Sequence, residues 1–111
     1  MRAAPGTYDL SIYAGDTYAA RFAFTVEGQP FPLPATGWRA QARPNPHSET
    51  VIELTVDATE AAGGIITLTI PAAETEGIGF PKGVWDLQHA DGLNISTWIS
   101  GRVTIEKDVT R

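Results

Sequence analysis

Site chemistry needs groups that titrate, coordinate or attack, and few of the 111 residues offer them at a usable spacing. The two histidines are His47, in the loop Pro44-Asn45-Pro46-His47-Ser48, and His89, at a strand end; they form no H-x-x-x-H or similar ligand pair. A chain without cysteine excludes a thiolate zinc site, a cysteine nucleophile and a disulfide framework together. Ser11, Ser48, Ser96 and Ser100 lack the strand-turn-helix context of a nucleophile elbow. Asp9, Asp16, Asp86, Asp91 and Asp108 fall mostly at turns or on outward faces, where unpaired carboxylates normally go, and no D-x-[DN]-x-[DN]-G loop gathers them. Gly63-Gly64, Gly77 and Gly79 sit at turn and cap positions, and neither G-x-x-x-x-G-K-[ST] nor G-x-G-x-x-G occurs to cradle a phosphate. The expectation is a chain that is not an enzyme, with no metal, no cofactor and no small-molecule substrate.

What remains is chemistry of contact. Trp98 alternates in phase with Ser96, Ser100 and Arg102, on the face opposite Ile99 and Val103, which places it outward unless a register slip or bulge at Gly101 turns it into the core or loops cover it. Exposed Trp and Arg are typical anchors of protein interfaces, so Trp98 and Arg102 are candidates for one. Phe31, Leu33 and Phe80, in proline-rich loops, are either a second apolar patch or plugs for the open end of a sandwich. Arg2 and Arg111, in short termini, complete the candidate interface as residues able to order on a neighbour.

Thirteen acidic against eight basic residues give a net charge of −5, which repels a phosphate backbone and argues against nucleic acid as a partner. No apolar run approaches the roughly 20 residues of a helical membrane span, and Met1 to Gly6 lacks the apolar stretch of a signal or anchor, so no membrane partner is expected. Asn94-Ile95-Ser96 matches the glycosylation sequon, but without a secretory signal it carries no weight.

The elements that must position these groups are strands. Side chains alternate along Thr7 to Tyr13, with Tyr8, Leu10 and Ile12 on one face, and along Tyr18 to Val26, the longest strand signal. Further alternating runs surround Trp38, Ala40 and Ala42; Ile52, Leu54 and Val56; Ile66, Leu68 and Ile70; Trp85 and Leu87; and Ile99, Val103 and Ile105. Phe31-Pro32-Leu33-Pro34 has too few ladder donors for a central strand and reads as a crossing between sheets. Pro71 to Gly77 has a proline to start, acids near the positive end and a glycine to stop, enough for one short helical turn. Asp91-Gly92 is the pair favoured at the centre of a type I′ hairpin turn. Gly101, in phase with inward residues, marks a bulge or a close approach of another backbone.

Seven strands at regular spacing predict an all-β fold: a single immunoglobulin-like antiparallel β-sandwich with one short helical turn, spanning residues 7–107 between an arm at 1–6 and a tail at 108–111. Its expected core is Leu10, Ile12, Phe22, Phe24, Trp38, Leu54, Leu68, Trp85, Leu87, Val103 and Ile105.

Taken in order, Tyr8 to Tyr18, Gly37 to Arg43, Gly64 to Ile70 with the helical turn, and Trp85-Asp86-Leu87 through Asp91-Gly92 to Gly101-Arg102-Val103-Thr104-Ile105 resemble small β-sandwich virion proteins of long-tailed bacteriophages. That group includes tail-fibre collar and baseplate adaptor domains. The resemblance spans about Tyr8 to Arg111 and implies a non-enzymatic structural role in the virion, in many copies of a symmetric assembly, joined to other phage structural proteins. Capsid decoration is the alternative within that class, and a free-standing binding domain the alternative outside it, since a fold does not fix function. The bulk of Trp98 and the proline-rich Phe31-Pro32-Leu33-Pro34 depart from the group's pattern.

Overall fold

The computed structural model describes residues 6–107; Arg2, Arg111 and the tail at 108–111 lie outside the described residues, as does most of the expected N-terminal arm. The chain forms β1 (Gly6–Thr7), β2 (Leu10–Ala14), β3 (Tyr18–Ala23), β4 (Thr25–Val26), β5 (Gln29–Pro30), β6 (Trp38–Arg43), β7 (Ile52–Asp57), β8 (Ile65–Ile70), a helical turn α1 (Ala72–Glu76), β9 (Lys82–Asp91) and β10 (Asn94–Lys107). Seven of these strands are five residues or longer, and they coincide with the seven alternating runs of the sequence; the rest are two-residue pairs.

Strand order around the curled sheet is β1-β10-β9-β6-β7-β8-β3, with β2 also on β10. One strand makes the corner: Ile52 to Leu54 of β7 pair with β6, whereas Thr55 to Asp57 pair with β8. The sheet therefore folds on itself, β3-β8-β7 facing β6-β9-β10, which is the layering of an immunoglobulin-like sandwich. Between the layers lie Leu10, Ile12, Leu54, Ile66, Leu68, Ile70, Trp85, Leu87 and Val103, with Phe22, Phe24, Trp38 and Ile105 half-buried against them. All the residues expected in the core are thus in or against it.

The sandwich is not wholly antiparallel. β1 and β2 run parallel to β10, pairing Gly6 with Ile99 and Leu10 with Val103 in one unbroken register. The ladder is interrupted only at Tyr8 and Asp9. There the Tyr8 carbonyl accepts the Trp85 indole N–H at 2.7 Å, and the Asp9 carboxylate accepts the Arg102 backbone N–H at 3.0 Å. Gly101 makes this possible, since a Cβ at 101 would lie 2.1 Å from the Tyr8 oxygen. Of the two roles open to Gly101, it is the close approach that holds. Tyr8 itself stays half-exposed, turned out of the core by the same kink, although its ring meets Phe22 edge-on at 5.1 Å.

Tyr18 to Val26 is not one strand, and the longest element is the 14-residue β10. The break falls at Phe24, whose N–H donates to the Gly64 carbonyl while its own carbonyl accepts from Phe31, so the chain leaves β8 and folds back as β4 and β5. The β4–β5 turn, Glu27-Gly28, has φ values of 51° and 79°, the two positive angles of a type I′ turn. In the β9–β10 hairpin Asp91 pairs with Asn94, which centres the turn on Gly92-Leu93 instead of Asp91-Gly92. Only Gly92 has positive φ there, the pattern of type II′.

Beneath α1, the fully buried Thr75 fastens the helical turn to the start of β3. Its hydroxyl accepts from the Gly15 N–H at 3.1 Å and lies 2.7 Å from the Asp16 carbonyl, to which it can donate.

Candidate protein interface

Of the residues expected at an interface, Trp98 and Phe31 meet, but the set does not form one exposed surface. Trp98 occupies the position where the register of β10 against β9 shifts, between Thr97 and Ile99. The bulge rotates it toward the sandwich, three residues before the glycine that the sequence suggested for such a slip. Half-buried, the indole packs edge-on against Phe24 and Trp38, with centroids 5.8 and 5.4 Å away, and tilts over Phe31 at 6.3 Å. Trp98 thus belongs to an aromatic cluster closing one end of the core, and its outward placement is corrected. Arg102, beyond the bulge, is exposed.

Leu33 is buried: its N–H donates to the Ala61 carbonyl at 2.9 Å and its side chain joins the core, so it is a plug and not a contact residue. Phe31 stays 40% exposed at the rim of the aromatic cluster. Phe80 is half-buried at the other end of the molecule, in the wall of an open cavity of about 440 Å³.

Neither histidine meets a nucleophile in these contacts. His89 stacks obliquely on Trp38, centroids 4.8 Å apart, with Nε2 2.9 Å from the Thr36 carbonyl, and Trp38 donates its own indole N–H to the Pro34 carbonyl. The backbone N–H of His47 donates to the Asn45 side-chain oxygen at 2.9 Å. Among the described residues, no three His, Asp or Glu side chains form a group able to hold a metal, and no helix is long and apolar enough to cross a membrane.

The solvent face of β6 and β7 carries a polar lattice. Arg39 donates to Glu53 at 3.0 Å, Gln41 donates to the same carboxylate oxygen, and Arg43 donates to Gln41 and to the Ser48 carbonyl. These hydrogen bonds, Arg39 first, hold the Glu53 carboxyl below its usual range. Burial pushes the Asp86 carboxyl up, with Arg43 acting against it. The polar groups of this face thus satisfy one another.

The most exposed apolar side chains lie elsewhere. Leu93, in the β9–β10 turn, is fully exposed, and Ile95 just beyond it is 66% exposed. Sequence reasoning took Asp91-Gly92 as the turn and passed over both. The available signal was Leu93 itself, since a leucine between Gly92 and Asn94 at a hairpin tip has no sheet to turn toward.

No protein-family model matches the sequence, and no curated protein matches it either. Solved structures match in shape. InlP of Listeria monocytogenes superposes with a TM-score of 0.52 at 16% identity over 92% of this chain, which spans only 27% of that protein. A DUF4785 family protein from Legionella pneumophila gives 0.47 at 19% identity, over 89% of this chain and 26% of its own. The N-terminal domain of phage TP901-1 ORF48, matched over its whole length and 95% of this chain, gives 0.43 at 13% identity. The likeness to InlP is one of fold alone.

Proposed function

We propose that the chain is a non-enzymatic assembly module of a tailed-phage particle, an adaptor or collar piece that joins structural proteins by protein contacts. The observation that carries this reading is the apolar hairpin tip. An isolated hydrophobic residue on a surface is ordinary, but Leu93 and Ile95 stand together at the end of the longest ribbon in the molecule, where exposure serves no packing need. Support for the phage setting comes from the ordered series of segments that resembles small virion β-sandwiches. The polar lattice of Arg39, Gln41, Arg43 and Glu53 fits the outward side of such a module.

The test is incorporation. Phage particles assembled in the presence of epitope-tagged chain are purified on a density gradient and probed for the tag. Wild type is expected to band with the particles in several copies, and Leu93→Asp to remain in the unassembled fraction with unchanged thermal unfolding. A wild-type chain found wholly outside the particles would overturn the reading.

A further inference from the structure

The side of β10 away from β9 is used unequally along its length. It pairs with β1 at Ile99 and Ser100 and with β2 from Val103 to Lys107, whereas from Asn94 to Thr97 it meets no described strand. The hairpin closes on the pair Asp91 and Asn94, and alternation then turns the backbone N–H and C=O of Ile95 and of Thr97 toward the open side. Four backbone groups at a sheet edge, next to the exposed Ile95, are a template for one more strand.

We propose that this edge is the docking site of the chain's own residues just before β1, with Arg2 to Pro5 continuing the parallel ladder from Gly6 toward the hairpin tip. The established register sets the alignment. Gly6 lies opposite Ile99, so with the bulged Trp98 passed over, Pro5, Ala4, Ala3 and Arg2 fall opposite Thr97, Ser96, Ile95 and Asn94, one residue for each open position. Backbone direction fits as well. The Tyr8 N–H donates to the Ser100 carbonyl at 3.0 Å, so Tyr8 and, by alternation, Gly6, Ala4 and Arg2 address β10, while Ala3 and Pro5 address the other side. Pro5 therefore stands where the ladder needs no N–H. Charge favours the same occupant. Arg2 is the only charged side chain among residues 1–5, and it falls opposite Asn94, whose partner on β9 is Asp91, the only charged side chain from 90 to 97. The contact uses backbone groups and leaves the Leu93 side chain uncovered, so it goes beyond the assembly reading without resting on it.

Amide hydrogen exchange on the full chain, followed residue by residue by NMR, tests this directly. Ile95 and Thr97 are expected to exchange roughly tenfold slower than in a chain lacking residues 1–5, while Asn94 and Ser96, whose N–H groups point to β9, change little. Amides of β6, paired with β9 along its whole length, serve as the folded control. Ala4→Pro is expected to match the deletion, because it removes an N–H that addresses β10, whereas Ala3→Pro keeps the protection. Arg2→Glu is expected to speed exchange at Ile95 about twofold at low salt and less at high salt, as for an exposed charge pair. Equal exchange at Ile95 and Thr97 with and without residues 1–5 would overturn the proposal, and so would prolines at positions 3 and 4 acting alike. Protection that is lost on dilution, together with a dimer in sedimentation, would assign the edge to the same segment of a second copy and equally overturn it.

Discussion

Two hairpins of this protein solve the same problem with unequal means. The β9–β10 ribbon is long, and between Ile99 and Thr104 β10 is paired by β9 on one side and, save at Gly101 and Arg102, by β1 and β2 on the other. The β4–β5 ribbon has two residue pairs, too few for stability on their own. Its place is fixed from outside, by the Phe24 and Phe31 backbones against Gly64 and by the Phe24 and Phe31 rings against Trp98. Their turns differ too: the long ribbon puts a glycine where positive φ is required, and the short one puts Glu27 there. A ladder bonded along both edges sets its own register, whereas a ribbon of two pairs borrows its register from what it packs against.

The comparison breaks first at Gly101. Gly101→Ala would drive a Cβ into the Tyr8 carbonyl, separate β1 and β2 from β10 and strand the Trp85 indole N–H in the core. We expect a loss of about 3–5 kcal/mol, combining overpacking with an unsatisfied buried donor. Chemical denaturation measures it directly. A loss below about 1 kcal/mol would mean that the parallel edge contributes little to the long ribbon.

Trp98→Ala cuts the link between the two hairpins. Because the indole is half-buried, the expected loss is about 2–3 kcal/mol, under the range for a fully buried aromatic. Near-ultraviolet circular dichroism should change as well, since Phe24, Phe31 and Trp38 lose a ring neighbour. Unchanged stability would return Trp98 to the role of a contact residue.

Gly64→Ala acts on the short ribbon alone. At φ 82° the new Cβ would lie 2.7 Å from the Phe24 carbonyl and about as close to the Phe31 backbone, so the β4–β5 segment must move off β8. Roughly 2 kcal/mol is expected from strain and displacement. Hydrogen exchange should show it as faster exchange at Phe24 and Phe31 with the β9–β10 amides unaffected.

Each of the seven longer strands was legible, because alternation is a local property of side chains and these strands each have one face turned to the core. Leu54, Leu68, Trp85, Leu87 and Val103 lie in the core for that reason. What escaped was set by contacts distant in sequence. Nothing near Phe24 announces that Gly64 and Phe31 will take its two backbone groups, so the strand was read through to Val26. The parallel edge pairs residues separated by nearly the whole chain, and only Gly101 hinted at it. Trp98 depended on a one-residue shift, which reverses a side chain's face without altering the sequence pattern around it. The candidate site was the least legible. Leu93 was hidden by a turn placed one residue early, while Leu33, surrounded by prolines and read as a loop, turned out to be packed beneath it.

The smallest effect sharpens the contrast between the turns. Glu27 holds φ 51° in a conformation that costs an L-residue about 1–2 kcal/mol, and its side chain is exposed, with no ion pair or side-chain hydrogen bond seen to compensate among the described residues. Asn tolerates left-handed backbone better and, before glycine, is the preferred residue of a type I′ turn. Glu27→Asn should therefore stabilise the protein by about 0.5–1 kcal/mol, a rise in Tm of about 3–5 °C. Glu27→Gly should gain less, because it also loosens the unfolded chain. If the β4–β5 ribbon borrows its register from Gly64 and Trp98, easing the turn must raise stability without shifting that register, so the backbone chemical shifts of Thr25 and Pro30 should stay in place. A Tm unchanged by both substitutions would show that the short ribbon opens before the rest of the sandwich, with its turn outside the cooperative unit.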